Sequence, residues 1–208
     1  VADDYLCEDG LPVIGLRWWG SYWDSDGWYP YSNSAYWGDP AVVPPGTVTG
    51  FIITFYSNVP AGSGIPPWSH PGDLLYQQEL PLDQVWVKET KYGVINRPGG
   101  ITETVFQYDA SLPIPFYQEI GNIYWLSIVA IDQDAQPIQW GWHEAETLWG
   151  DNAVQRGFHI IGWDMLPNKD MAFEIKVIPA PTTLILLFSG LIGIVGLRSK
   201  ELVLRFII

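Results

Sequence analysis

The sequence predicts an all-β fold, an antiparallel β-sandwich of jelly-roll type, followed by a single apolar helix at the C-terminus. Composition is the first reason, because 12 Trp, 11 Tyr and 8 Phe favour strands, while 21 Gly and 17 Pro favour turns. The second reason is patterning: short apolar or alternating segments are separated by turn residues. No amphipathic helical pattern of ten residues or more precedes residue 178. Together these observations indicate a sandwich rather than a helical or α/β domain.

Residues 12–23, "PVIGLRWWGSYW", predict the first strand, and residues 24–46 predict a long loop rich in aromatic residues. The apolar runs 50–57 and 122–131 predict strands in the interior, the first of them buried on both faces. Residues 171–177, "MAFEIKV", alternate strictly. Further strands are expected at 74–80, 84–90, 99–110, 138–146 and 156–165. The predicted core contains Phe51, Ile53, Phe55, Trp125, Ile128, Phe173 and Ile175.

The charge distribution is uneven. All but one of the 23 acidic residues lie before residue 179, whereas three of the ten basic residues lie after it. Such an acidic body repels phosphate backbones, so nucleic acid is excluded as a partner. Acidity suits an extracytoplasmic surface and leaves divalent cations open. Cys7 is the only cysteine, so an intramolecular disulfide is excluded; the thiol is either buried or used between molecules.

The C-terminal segment is apolar. Residues 183–197, "TLILLFSGLIGIVGL", carry no charge and would span about 22 Å as a helix, whereas a bilayer core is about 30 Å thick. Arg198 and Lys200 follow directly and would lie on the cytoplasmic side, with the acidic body outside. The pattern predicts a membrane helix, and its short length favours a transient anchor.

This tail resembles a PEP-CTERM sorting signal, in which a short proline motif precedes a membrane helix and a basic end. The motif corresponds to Pro179, Ala180 and Pro181, followed by the apolar segment and by Arg198 and Lys200. Ala180 replaces the Glu of the family motif, and the chain continues as "ELVLRFII" beyond the basic residues. The resemblance implies export, recognition by an exosortase-type processing enzyme, and a place at the cell surface or in the extracellular matrix. The predicted domains are therefore an extracytoplasmic body, 1–178, and a sorting signal, 179–208.

The body also resembles an uncharacterised domain of exported bacterial proteins, often of planctomycete type. The segments that carry this resemblance include "DDYLCEDGLPVIGLRWWGSYW", "VPAGSGIPPWSHPGDLLYQ" and "WGWH". The resemblance implies export and a β-sandwich, and it implies no activity.

Aromatic residues concentrate near the first strand. Trp18 and Trp19 are adjacent and must face opposite sides of a strand. Exposed aromatic faces beside Asp and Asn are typical of sugar-binding sandwiches, so an extracellular polysaccharide is a candidate partner. The alternative is that these side chains fill the core and cover loops. The candidate ligand-binding residues are Trp19, Trp23, Trp28 and Trp37.

Metal-binding signals are few. Asp24 and Asp26 in "DSDG" are candidate Ca²⁺ ligands, but position 12 of that loop is Ala35, so an EF-hand is excluded and a polar turn is the alternative. The three histidines, His70, His143 and His159, have no HxH or HExxH spacing. We expect no cofactor, with Ca²⁺ the one open exception.

No catalytic motif stands out. There is no G-x-S-x-G, Ser63 lies in a Gly-Ser-Gly turn, and Cys7 lies among acidic residues, which do not activate a thiol. Carboxylate pairs such as Glu144 and Glu146 are expected by chance in so acidic a chain. The sequence therefore predicts an exported, non-enzymatic envelope or matrix protein with a structural or interaction role. The alternatives are a carbohydrate-binding module and, third, a glycan-acting hydrolase.

Overall fold

A computed structural model describes residues 1–24, 48–97, 101–132, 138–156 and 162–178. This part of the chain is built from strands. They are β1 (Ala2–Leu6), β2 (Val13–Asp24), β3 (Val48–Val59), β4 (His70–Pro81), β5 (Val87–Arg97), β6 (Ile101–Phe116), β7 (Ile123–Asp132), β8 (Ile138–Trp142), β9 (Val154–Arg156), β10 (Trp163–Met165) and β11 (Phe173–Val177).

The strands form two antiparallel sheets, which confirms the predicted β-sandwich. One sheet has six strands in the order β10-β9-β1-β7-β3-β4, and the other has the order β11-β2-β6-β5 with β8 also paired to β2. The described strands alternate between the sheets at β1–β2, β2–β3, β4–β5, β6–β7, β7–β8, β8–β9 and β10–β11. Because of these crossings, neighbouring strands within a sheet are often distant in sequence, as in jelly-roll connections.

The inner faces of the sheets meet in one aromatic core. Phe51, Ile53, Phe55, Trp125 and Ile128 are buried, as predicted. Phe173 and Ile175, also predicted to be mostly buried, pack against the core and keep part of their surface exposed. The reason is position: β11 is at the edge of its sheet and has a strand on one side only.

The outer faces of β3 and β7 differ from their inner faces. Phe51, Ile53 and Phe55 of β3 are buried on its inner face, whereas Ile52 and Tyr56 are half-buried, so the strand is not buried on both faces along its whole length. Trp125 of β7 lies in a second small cluster with Ala2 and Val154. Its indole N–H donates to Asn58 Oδ1 at 2.8 Å. This cluster covers part of the outer face of the six-stranded sheet.

Strand β1 is absent from the predicted elements, because "ADDYL" carries two adjacent acids that break an apolar pattern. It pairs with β7 through five residues and brings those acids into the interior. Residues Val1–Val177 form one compact unit. No helix long and apolar enough to cross a membrane occurs among the described residues, and the predicted helix at 183–197 lies outside them.

Candidate ligand-binding cleft

Strand β2 directs its two adjacent tryptophans to opposite faces. Trp18 is 0% exposed and stacks on Tyr108 in the core, with ring centroids 5.5 Å apart. Trp19 is half-buried on the outer face of the five-stranded sheet, where Tyr92 contacts it edge-on at 5.9 Å. Trp19 Nε1 is buried and has no hydrogen-bond partner among the described residues. The exposed part of Trp19 is therefore its ring and not its N–H group.

Trp19 lines a cleft of about 460 Å³ together with Trp149. Trp149 belongs to the segment that follows β8, and half of its surface is exposed. Backbone hydrogen bonds fix the start of that segment: His143 N donates to Trp19 O, and Ala145 N donates to Asp170 O. The cleft thus has one tryptophan from a rigid strand and one from a loop that is attached to it.

Carboxylates line the same cleft. Asp3, Asp4 and Asp170 are buried among its lining residues, and Glu146 and Glu174 are exposed ones. No Lys, Arg or His of the described chain belongs to the lining. Glu174 Oε2 forms an ion pair with Arg17 Nη1 at 3.4 Å. The cleft is therefore both aromatic and acidic.

The buried acids hold the walls of the cleft through backbone N–H groups. Asp3 Oδ2 accepts from Met171 N at 2.6 Å, and Asp170 Oδ2 accepts from Trp149 N at 2.5 Å. Asp4 Oδ1 accepts from Asp151 N at 3.2 Å. Trp149 is thus positioned by a carboxylate on its own backbone nitrogen.

Burial gives these acids unusual proton affinities. Desolvation raises the pKa of Asp3 to about 8. The hydrogen bond from Met171 lowers this pKa, while the charges of Asp170 and Asp4 raise it further. Desolvation and the Asp151 charge raise the pKa of Asp4 to about 7. No cation faces these carboxylates in the described lining. Their only compensation is therefore hydrogen bonding from backbone N–H groups, which does not offset the loss of hydration.

A second polar cluster lies under a neighbouring pocket. Glu103 is 1% exposed; its Oε1 is 3.1 Å from His143 Nε2, and its Oε2 accepts from Arg97. Burial alone would raise the pKa of Glu103, but the hydrogen bonds from His143 and Arg97 outweigh it and lower the pKa to about 2. Glu103 is therefore a compensated carboxylate, unlike Asp3.

The Ser21, His143 and Glu103 side chains are not arranged as a catalytic triad. Ser21 Oγ donates to Thr104 O and lies 2.7 Å from His143 Nε2, the same nitrogen that faces Glu103. A triad needs the serine and the carboxylate on opposite ring nitrogens. Ser21 is also fully buried. This cluster holds β2, β6 and the end of β8 together.

Other predicted positions are scattered. Glu144 lines the pocket beside Glu103 and pairs with Lys169, whereas Glu146 lines the tryptophan cleft, so the structure separates that carboxylate pair. His70 Nδ1 contacts Trp68 O at 2.9 Å, and Cys7 is buried. Among the described residues no three His, Cys, Asp or Glu side chains group as metal ligands.

Several predicted residues cannot be placed. The side chains of Trp23 and Asp24, and the whole of Trp28, Trp37, Asp26 and His159, lie outside the described residues, as does the tail motif with Pro179, Ala180, Pro181, Arg198 and Lys200. Of the four candidate tryptophans, Trp19 alone is described with its side chain.

Sequence reasoning missed Trp149 and the buried acids. Trp149 stands before Gly150 in a short polar segment, and a lone tryptophan at a turn was the available signal. Asp3 and Asp4 gave no signal, because adjacent acids near a terminus normally indicate a solvated surface.

Comparison with known families identifies the chain. The model of one family, Domain of unknown function (DUF7901), matches residues 1–176, and the chain belongs to that family. Searches of the curated proteins and of the solved structures found no match.

Proposed function

We propose that the protein is an exported, non-enzymatic module of the bacterial cell envelope or extracellular matrix that binds carbohydrate in the tryptophan cleft. One observation carries this proposal: Trp19 and Trp149 line a single cleft that also contains carboxylates. Indole faces pack against the C–H groups of sugar rings, and carboxylates accept hydrogen bonds from hydroxyl groups. A concave, mostly apolar site with a few polar groups is the usual form of a small-ligand site.

The rigidity of the cleft supports binding. Trp19 is fixed by its position in β2, which pairs with β6 and β11 on its two sides. The backbone of Trp149 is held by its hydrogen bond to Asp170, which fixes where the side chain starts. Aromatic groups that are already positioned lose little conformational entropy on binding, so a flexible glycan pays most of the ordering cost itself.

Export and sorting rest on the tail. The Pro179–Pro181 motif, the apolar segment 183–197 and the basic residues Arg198 and Lys200 support recognition by an exosortase-type enzyme. The acidic body suits an extracytoplasmic surface, and we propose that the tail anchors the chain in the membrane transiently before it is cleaved. Mass spectrometry of the C-terminus from native cells tests this: a new end near Pro179–Pro181 supports cleavage, and an intact Ile208 contradicts it.

Binding is tested by calorimetric titration of the full chain with neutral oligosaccharides, after a glycan array has selected the sugars. We expect Trp149→Ala to weaken binding at least tenfold, about 1.4 kcal/mol, because a stacking face is lost. The matched control is Tyr117→Ala, which removes an exposed aromatic side chain outside the cleft and should leave binding unchanged.

The alternatives predict different results. A purely structural or protein-interaction role predicts no glycan binding by the folded chain. A hydrolase predicts new reducing ends when the oligosaccharide is incubated with the protein. Equal binding by the Trp149→Ala and Tyr117→Ala variants would place any sugar site elsewhere and overturn the assignment of the cleft.

A further inference from the structure

The lining of the tryptophan cleft restricts which sugars it can accept. Five of its lining residues are carboxylic acids, and none of the described lining residues is basic. Uronic acids, sulfated sugars and other anionic glycans would find no basic lining residue there and would be repelled by the exposed carboxylates of Glu146 and Glu174. The cleft must therefore hold either a neutral glycan or a cationic one.

Two observations separate those possibilities. Glu146 is exposed in the cleft and takes part in no ion pair within the described chain, so its charge is available to a ligand. Trp149 and Trp19 add aromatic faces, which attract an ammonium group through the ring quadrupole. An exposed carboxylate beside two indole rings is suited to an ammonium group, and a neutral sugar would leave this charge unused.

On the premise that the cleft binds carbohydrate, we infer that its ligand is a glycan bearing protonated amino groups, with an ammonium seated between Glu146 and the tryptophan faces. The ring stacks on indole while the amine supplies the positive charge that the cleft lacks. Acetylation of the amine removes that charge and adds bulk, so an N-acetylated sugar should bind less well.

Proton release from the buried acids would be a second sign that an ammonium group has bound in the cleft. The titratable groups that face Asp3 and Asp4 are Asp151 and Asp170, while the residues paired with them on β7, Leu126 and Trp125, carry no charge. A cation arriving in the cleft lowers the pKa of these carboxyls and expels protons. A neutral ligand gives no such electrostatic release.

The test is titration calorimetry of the full chain with three hexasaccharides of equal length: β-1,4-glucosamine, its fully N-acetylated form, and cellohexaose. The measurement is made at a mildly acidic pH at which the sugar amines are protonated, in two buffers of different ionisation enthalpy. We expect the glucosamine hexamer to bind at least tenfold more tightly than either neutral hexamer. We also expect it to release protons and to lose affinity as salt rises.

Two variants locate the effect. Glu146→Gln should abolish the preference for the amine while retaining the affinity for neutral sugar, and Trp149→Ala should weaken binding of all three. The matched control is Glu79→Gln, an exposed acid on β4 outside the cleft. If Glu79→Gln and Glu146→Gln reduce binding equally, the sugar is attracted only by the overall negative charge and the inference is overturned.

The remaining outcomes distinguish this inference from the proposed function. Equal affinity for all three hexamers overturns the amino-sugar inference and leaves carbohydrate binding intact. Absence of binding by any hexamer, and by every sugar on the array, removes both. Tight binding of the N-acetylated form alone also overturns the inference, since it would show that charge is not what the cleft selects.

Discussion

Glu103 and Asp3 are both buried carboxylates on the same sandwich, yet their proton affinities are shifted in opposite directions. Glu103 contacts two nitrogen-bearing side chains, and its pKa is lowered to about 2. Asp3 receives only backbone N–H groups and lies near other acids, and its pKa is raised to about 8. Burial is common to both, so the kind of partner decides whether a buried acid stays ionised. Glu103 therefore stabilises the fold as part of an ion pair, whereas Asp3 holds a proton near neutral pH.

The largest effect on stability is expected when the charge of Glu103 is removed. Glu103→Gln should lower the free energy of unfolding by about 3 kcal/mol, because Arg97 and His143 lose their buried anion. Urea unfolding followed by circular dichroism measures it. The matched control is Glu144→Gln, an exposed partner of Lys169, which should cost less than about 1 kcal/mol. Equal losses in the two variants would mean that Glu103 is not held as an ion pair.

The uncompensated acid should make stability depend on pH. Between about pH 4 and pH 8 the folded state keeps a proton on Asp3 that the unfolded chain has released, so stability falls as pH rises. The slope from this one group is at most about 1.4 kcal/mol per pH unit. Below pH 4 the opposite case applies, because ionised Glu103 stabilises the fold and that contribution is lost as pH falls towards 2.

Asp3→Asn isolates the effect. At pH 4 the variant should be about 1 kcal/mol less stable, because the amide NH2 cannot accept from a backbone N–H, whereas the hydroxyl oxygen of the protonated acid can. The deficit should shrink and reverse as pH rises, since the variant no longer has to bury a titrating acid. Thermal and urea unfolding across the pH range measure the crossing. Parallel curves for the two proteins would contradict the raised pKa of Asp3.

A smaller effect on stability tests how tightly Gly150 packs against Asp4. Gly150 has φ +70°, and a Cβ there would lie 2.7 Å from Asp4 Oδ2. Gly121 has φ +84° with open space around it, so Gly121→Ala measures backbone strain alone, about 1 kcal/mol. Gly150→Ala should cost roughly 1 kcal/mol more than this control, because the carboxylate must also move. Identical losses would show that Asp4 yields freely.

The smallest effect on stability is expected for the partly exposed ion pair between Arg17 and Asp109. Asp109 is partly buried, and its desolvation is outweighed by Lys176, Gln107 and Arg17, which lower its pKa. Arg17→Gln should nevertheless cost less than about 1 kcal/mol, because the pair is about one-third solvent-exposed and screened. The loss should diminish further in high salt, as urea titrations at two salt concentrations would reveal.

The fold could be predicted from the sequence because it depends on patterns that repeat along the chain. The apolar runs of β3 and β7 and the alternation of β11 each indicate a strand without reference to the rest of the protein. Alternation placed Phe173 on the core-facing side of its strand, but it does not reveal that the strand is at a sheet edge, where part of the side chain stays exposed.

The cleft was less predictable because it assembles residues from distant parts of the chain. Trp19 was a candidate from its local sequence, but its neighbours Asp3, Trp149 and Asp170 meet it only through the pairing of β1 with β7 and through the course of the segment after β8. Likewise, nothing local distinguishes Glu103, paired to cations, from Asp3, which faces other acids.

The register shift in β5 affects how readily the protein aggregates through the edge of its sheet. β5 is at the edge of its described sheet, and its pairing with β6 is interrupted between Lys91 and Gly93. An open strand edge invites another chain to add to the sheet, but a bulge interrupts the row of hydrogen-bonding groups and lysines make a second strand costly to bury. Lys88 and Lys91 are both exposed on this strand. The bulge and the lysines of this edge therefore oppose strand-by-strand aggregation at high protein concentration.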